Sequence, residues 1–214
     1  MNIVLFGPPG VGKGTQGVRL AERFSIVHLA MGDLLRKAVK DKTELGVQAK
    51  SYMDAGKLVP DTVVIGMIED RIISKDASNG FLLDGFPRNV AQAMALNAML
   101  LKHNLNIDHV IFMEAEETCL IERLSGRLIC KGCGFGFHRH YSPPEKDGCC
   151  DRCDGELYQR EDDRKDVIEQ RLKVYLKETQ PLLDFYSDSD VFSKVDAMQG
   201  MDEVFHTLEK AVQG

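Results

Sequence analysis

No stretch of this 214-residue chain holds the twenty or so consecutive apolar residues that a membrane-crossing helix needs. Nor is there an excess of basic residues. Lys and Arg number 27 against 33 Asp and Glu, a formal net charge of −6, which argues against a general binder of nucleic acid or of anionic lipid surfaces. Any phosphate recognition must therefore rest on a few locally focused cations. Internal repeats and low-complexity tracts are also missing. The chain opens directly on a strand-like apolar run, without the basic start and apolar stretch of a secretory leader. The expected location is a reducing cytoplasm, where the six cysteines read as metal ligands or free thiols rather than disulfides. Hydrophobic residues at 43% and charged residues at 28% suit a soluble globular chain with one substantial core and small insertions.

What is present is concentrated first in Gly7-Pro8-Pro9-Gly10-Val11-Gly12-Lys13-Gly14-Thr15. The run follows apolar Ile3-Val4-Leu5-Phe6 and leads into a helix-like stretch at 16–24, which is the strand, loop and helix context of a phosphate-binding loop. Glycines let successive backbone N–H groups turn toward one anion, and the helix N-terminus adds partial positive charge there. Lys13 supplies a mobile full charge for the outer phosphates. The motif asks for Ser or Thr directly after the lysine, and here Gly14 stands before Thr15. A glycine-rich turn that merely caps a helix is the plainer alternative. Spacing, lysine and flanking elements together favour the phosphate loop.

Five short β-type runs, at 2–6, 26–29, 81–83, 109–113 and 191–195, alternate with helical stretches. This alternation predicts an α/β fold, a parallel sheet covered by helices on both faces, with ligands bound at the carboxyl ends of the strands. Gly7, Asp84 and Glu114 each fall just after a strand. The helix at 16–24 is expected to bury Val18, Ala21 and Phe24. Asp33 is read as the N-cap of a helix carrying Arg36, residues 37–53 as one helix, and 61–73 as another with Val64, Ile65, Ile68 and Ile72 inward. A helix over 114–129 would put Arg123 and Arg127 four apart on one face, an arrangement suited to a polyphosphate. Arg160 and Arg171 lie eleven residues apart, about three helical turns, so both can face one cleft. Ordinary surface pairing with Asp162, Asp163 or Glu169 is the bland reading of those two arginines. In Asp84-Gly85-Phe86-Pro87-Arg88, a strand end delivers a carboxylate of the kind that holds Mg²⁺ through water and an arginine able to fork onto phosphate.

Cys130-Lys131-Gly132-Cys133 and Cys150-Asp151-Arg152-Cys153 form two Cys-x2-Cys knuckles separated by sixteen residues, the spacing of a closed four-thiolate zinc site. Cys149, His138 and His140 are alternative fourth ligands, and regular spacing favours Cys150. With few apolar residues nearby, the segment needs such a staple to fold. Iron or cobalt would suit the same donors.

The loop, the Gly32-Asp33…Arg36 segment and Asp84-Gly85-Phe86-Pro87-Arg88 together resemble the nucleoside monophosphate kinases. Gln92 and the cysteine-bearing insertion make the chain similar to the long-form bacterial adenylate kinases, nearly end to end. The resemblance implies a five-stranded P-loop core (1–29, 60–125 and 164–214), a small AMP-binding insertion (30–59) and a zinc-bearing lid (126–163). It implies the reaction MgATP + AMP ⇌ MgADP + ADP, with Mg²⁺ and structural Zn²⁺ as cofactors. The lack of long heptads or apolar stretches points to a monomer, and the acidic charge balance to neither nucleic acid nor membrane as partner. Gly10, Val11, Gly12, Lys13, Gly14, Thr15, Arg123, Arg127, Gly136, Phe137 and Gln199 would bind ATP. Met31, Arg36, Lys57, Leu58, Val59, Gly85, Phe86, Pro87, Arg88, Gln92, Arg160 and Arg171 would bind AMP. Lys13, Arg88, Arg123, Arg160 and Arg171 would act in transfer, and Thr15, Asp33 and Asp84 would hold Mg²⁺ through water. Cys130, Cys133, Cys150 and Cys153 would hold the zinc. Met31 and Ala197 stand where the family usually has Thr and Gly, each beside a base.

A UMP/CMP-type kinase is the alternative within the same chemistry, and Gln92 favours AMP. A zinc-ribbon binding module is the alternative outside it. Its ribbon would need to be basic, whereas residues 130–156 set Lys131, Arg139, Lys146 and Arg152 against Glu145, Asp147, Asp151, Asp154 and Glu156. A GTPase switch is disfavoured because no Asn-Lys-x-Asp guanine reader follows the fourth strand.

Overall fold

A computed structural model describes residues 1–213. Its strands are β1 (Asn2–Phe6), β2 (Val27–Ala30), β3 (Phe81–Asp84), β4 (His109–Glu114), β5 (Arg127–Cys130), β6 (Gly136–His138), β7 (Leu157–Tyr158) and β8 (Phe192–Asp196). Its α-helices are α1 (Lys13–Phe24), α2 (Met31–Lys40), α3 (Glu44–Asp54), α4 (Asp61–Ile72), α5 (Val90–Lys102), α6 (Glu117–Ser125), α7 (Lys165–Val174), α8 (Leu182–Tyr186) and α9 (Met201–Gln213).

Five strands make one parallel sheet in the order β2-β3-β1-β4-β8, which bears out the expected architecture. β1 and β3 are buried along their whole length, as unbroken apolar runs in a doubly covered sheet must be. The pleat divides their side chains between two cores. Val4, Phe6, Leu83, Ile68, Leu96 and Leu182 pack on one side, while Ile3, Leu5, Leu82, Leu20, Ile111 and Leu208 pack on the other. A second, three-stranded antiparallel sheet, β6-β5-β7, lies between α6 and α7 in the chain.

Several sequence expectations give way to packing. In α1 the buried residues are Gln16, Gly17, Leu20 and Ala21, and Val18 is exposed. Gly17 lies so close to β2 and β3 that an added Cβ would meet His28 at 2.7 Å, and Gln16 donates to the Met201 carbonyl at 2.8 Å. Gln16 and Gly17 therefore share the inner face with Leu20 and Ala21. The single helix expected over 37–53 is two. Lys42 adopts φ 53°, and Thr43 caps α3 by accepting from the Gly46 N–H at 3.1 Å. α2 begins at Met31, so Asp33 sits in its first turn rather than at its cap. α6 ends at Ser125, which leaves Arg127 on β5. Arg160 lies outside α7, ahead of the short 3-10 turn Glu161–Asp163. Beyond α7 the chain widens into a π-helical turn, Tyr175–Thr179.

The α2–α3 pair crosses at Gly46, where a Cβ would lie 2.0 Å from the Ala38 carbonyl oxygen. Backbone cannot move aside as a side chain does. Gly46→Ala should therefore cost about 1–3 kcal/mol of stability through overpacking. Urea unfolding should show a lower midpoint at an unchanged m-value, and an unchanged midpoint would refute the close crossing.

Candidate active site

The phosphate loop hangs between the end of β1 and the start of α1. Gly7, at φ 147°, passes so close to β4 that a Cβ would lie 2.3 Å from the Met113 carbonyl oxygen. Gly12, at φ 105°, is the N-cap of α1 and has open space around it. Lys13 begins the helix and donates its ammonium back to the Gly7 and Pro8 carbonyls at 2.8 and 2.9 Å. Burial pulls its pKa down to about 8. The negative charge of Asp84 resists this, while Arg88, Arg171 and Arg127 add to it. Gly14 and Thr15 are exposed on the first turn of α1.

Asp84 reaches the same edge because β3 pairs with β1 in a register that sets Leu5 beside Asp84. It is buried, with Oδ2 3.5 Å from His28 Nε2. After the turn at Gly85, Phe86 and Pro87, the Arg88 guanidinium donates through Nε to the Gly85 carbonyl at 2.8 Å. Burial lowers its pKa to about 10, reinforced by Arg171 and opposed by Asp84. The main chain of Arg88 is gripped on both sides. Its N–H donates to Gln92 Oε1 at 2.7 Å, and its carbonyl accepts from buried Thr179 Oγ1 at 2.7 Å.

Across the cleft, Arg127 donates two hydrogen bonds to Asp163, at 2.8 and 2.5 Å. Arg171 donates to the same carboxylate at 3.0 Å and to the Asp162 carbonyl at 2.7 Å. Asp163 is fully buried, so it is the fixed post on which both arginines lean. The bland reading of surface pairing thus fails for Asp163. The chain order Arg160-Glu161-Asp162-Asp163 was the available signal, but sequence cannot tell a buried acid from a solvated one. Burial raises the Asp162 pKa, but the charges of Arg171, Arg127, Arg36 and Arg160 outweigh it and leave the group below the usual carboxylate range. Burial likewise lowers Arg171, and lowers Arg160 to about 10. Asp33 binds Arg36 at 2.5 Å and lies 3.7 Å from Arg160. Arg123, on α6, donates to the Ala197 carbonyl at 3.0 Å, so Arg123 and Arg127 stand on different elements rather than on one helix face.

The remaining sequence candidates fall in two groups. Met31 is buried at the start of α2, and Lys57, Leu58 and Val59 run into α4. A cavity of about 610 Å³ opens on Lys57, Leu58, Val59, Asp61 and Asn89, walled on the far side by Gln170 and Lys173 of α7. Gln92 is buried and bonds to Asp61, a residue sequence reasoning passed over. Gly136 lies exposed on β6, Phe137 is buried in the small sheet's own core, and Gln199 is exposed ahead of α9.

The sulfurs of Cys130, Cys133, Cys150 and Cys153 all lie within 4.8 Å of one another. Cys130 and Cys153 are 3.4 Å apart, Cys133 and Cys150 3.6 Å. A tetrahedral ion with sulfur ligands at about 2.3 Å sets the sulfurs about 3.8 Å apart, so the cluster fits Zn²⁺. The N–H groups of Gly132 and Cys133 point at Cys130 Sγ at 3.3 and 3.5 Å, as a knuckle holding a thiolate requires. Two of the alternative ligands, Cys149 and His138, are engaged elsewhere. Cys149 Sγ donates to the Asp154 carbonyl at 3.6 Å, and His138 Nδ1 accepts the N–H groups of His140 and Tyr141, both at 3.1 Å.

A glycine loop on a parallel-sheet edge, a neighbouring acid and a ring of arginines around both define a P-loop phosphotransferase of the nucleoside monophosphate kinase class. The family model described as adenylate kinase matches residues 5–191. The chain is 49% identical over 214 residues to the adenylate kinase of Bacillus licheniformis, covering 100% of this chain and 99% of that one. It is 48% identical over 214 residues to that of Geotalea daltonii, covering 100% of both, and 46% identical over 212 residues to that of Clostridioides difficile, covering 99% and 98%. The chain belongs to the adenylate kinase family.

Replacing Asp163 by Asn removes the charge that both Arg127 and Arg171 share. Breaking a fully buried ion pair costs about 3–5 kcal/mol, and the partly exposed arginines reduce this to about 2–3 kcal/mol here. Chemical unfolding of Asp163→Asn should show that loss, together with a fall in turnover as the arginines lose their orientation. Wild-type stability in the variant would remove Asp163 from its structural role.

Proposed function

We propose that this adenylate kinase transfers the γ-phosphoryl group of MgATP to AMP, reversibly, between a phosphate loop and an arginine ring that arrive on separate elements. One observation carries this reading. Lys13 on the glycine loop, Arg88 at the end of the β3 turn, and Arg127 and Arg171 anchored on Asp163 gather more positive charge at one cleft than Asp84, Asp162 and Asp163 offset, an excess suited to a polyphosphate. Phosphoryl transfer spreads charge over several oxygens, so a catalyst mainly aligns and neutralises, and no general base is needed. Lys13 and the amides of Gly10, Val11, Gly12, Gly14 and Thr15 hold the β- and γ-phosphates. Arg36 and Arg88 fix the AMP phosphate, while Arg123, Arg127, Arg160 and Arg171 surround the group in flight. Thr15, and through water Asp33 and Asp84, would hold Mg²⁺, which when bound neutralises phosphate charge. Gln92 reads the adenine edge of AMP, with Gly85, Phe86 and Pro87 beside it. Met31 and the 57–59 backbone line that nucleoside, and Gly136, Phe137 and Gln199 lie near the ATP adenosine.

Water competes with AMP as acceptor, so the cleft must close before transfer, a gating for which the adenylate kinase lid is itself the familiar example. We assign that closure to residues 126–163 over ATP and 30–59 over AMP, around a core of 1–29, 60–125 and 164–214. The four-cysteine cluster would carry a structural Zn²⁺, because four thiolates leave no open position for substrate. We read the enzyme as a cytoplasmic monomer acting on ATP, AMP and ADP without nucleic-acid or membrane partners. No helix among the described residues is long and apolar enough to cross a membrane.

A coupled assay with MgATP and AMP, GMP, CMP or UMP should form ADP rapidly with AMP alone, and Lys13→Met should lose about 10²–10³-fold in kcat. Comparable rates with CMP or UMP would move the enzyme to a broader monophosphate kinase. Only Cys130, Phe137, Cys150 and Leu157 form the buried core of the small sheet. Chelation or Cys130→Ser should therefore lower the melting temperature by several degrees. Identical melting curves with and without chelator would exclude a structural metal.

A further inference from the structure

Gln92 is buried on the first turn of α5, and both ends of its amide are engaged. Its Oε1 accepts the Arg88 main-chain N–H at 2.7 Å, and its Nε2 donates to Asp61 Oδ1 at 2.6 Å. Neither partner can reverse its role, because a peptide N–H only donates and an ionised carboxylate only accepts. Rotating the amide by 180° would set oxygen against carboxylate and NH₂ against N–H. Asp61 is in turn held where it is. It opens α4, where the helix N-terminus favours an anion, and Asn89 Nδ2 donates to its two oxygens at 3.2 and 3.3 Å. Asn89 itself cannot turn over, since its Oδ1 caps α5 by accepting the Gln92 N–H at 2.7 Å.

An amide anchored in this way has one oxygen lone pair and one N–H left, in a fixed order. That order pairs with a base edge carrying an amino donor beside an unprotonated ring nitrogen. It opposes an edge carrying a carbonyl beside a ring N–H. We propose that Asp61 is a positioning residue for base selection, locking the Gln92 amide in the orientation that accepts 6-amino purines and rejects 6-oxo purines. The proposal rests on the reading that Gln92 faces the AMP base. Asp61 does this without touching the base, and Asn89 supports it.

The test compares AMP with IMP, which differ at the 6-position and in the protonation of the adjacent nitrogen, as acceptors from MgATP. A site whose polar groups are left mispaired rejects the wrong substrate by orders of magnitude, so the wild type should favour AMP by at least about 100-fold in kcat/KM. In Asp61→Asn the new amide can present either NH₂ or oxygen, which removes one of the two restraints on Gln92 and leaves the Arg88 N–H alone to oppose its turning over. The AMP/IMP ratio should fall at least about tenfold, chiefly through faster use of IMP. A ratio is indifferent to the fraction of enzyme that is folded, and general structural damage would slow both acceptors in parallel. An unchanged ratio in Asp61→Asn would overturn the lock. Gln92→Leu separates the two levels. If it collapses the ratio while Asp61→Asn does not, the base reading stands and the lock fails. If Gln92→Leu also leaves the ratio unchanged, the base reading falls and takes the lock with it.

Discussion

Like charges held in a cleft repel one another, and here Lys13, Arg36, Arg88, Arg127, Arg160 and Arg171 share one sheet edge with only Asp33, Asp84, Asp162 and Asp163 to restrain them. The depressed pKa values follow first from burial and then from that repulsion, and the acids fix the side-chain directions. Burial and mutual repulsion push Lys13, Arg88, Arg160 and Arg171 toward giving up their protons, and the acids hold them charged and aimed. Fixing the dipoles and charges before the ligand arrives removes the reorganisation that water would need during transfer. The fully buried Asp163 is the extreme case, since a carboxylate without solvent is tolerable only with partners as strong as Arg127 and Arg171.

The scaffold distributes those charges by a simple division of labour. The parallel sheet supplies the loop at β1 and Asp84 at β3 through strand register. Segments outside it supply most of the arginines: α2 for Arg36, β5 for Arg127, and the stretch into α7 for Arg160 and Arg171. The Arg88 main chain joins the parts, clasped by Gln92 on one side and by Thr179 of the π-helical turn on the other. A widened helical turn of this kind is often found at functional sites. Here it delivers a buried hydroxyl to a carbonyl 91 residues earlier in the chain.

Much of this was legible in the sequence because it was written in local patterns. Unbroken apolar runs marked the strands, glycine spacing marked the phosphate loop, and paired Cys-x2-Cys knuckles marked the four-cysteine cluster. What failed was written in long-range packing. The inner face of α1 includes Gln16 and Gly17, which apolar counting ignores, and their burial depends on β2 and α9. The break at Lys42 was signalled by Thr43 ahead of Glu44 but was submerged in a long helical period. The bridging acids Asp61 and Asp163 resemble any surface acids until residues 31 and 36 positions away close on them. Arg127 lies on a strand rather than on the expected helix face beside Arg123, because strand pairing with His138 replaced the helical turn.

The ammonium of Lys13 donates to two carbonyls of its own loop. An arriving anion therefore enters an exchange of partners and gains only the difference between the new bonds and the old ones. A chloride or a carboxylate offers too few contacts to profit from that exchange. On the proposed reading a polyphosphate would profit, since it would engage the lysine, the loop amides and the arginines at once. On that reading the loop would screen ligands by the number of contacts they can make together, favouring polyphosphates over the simple anions that surround it in far greater abundance.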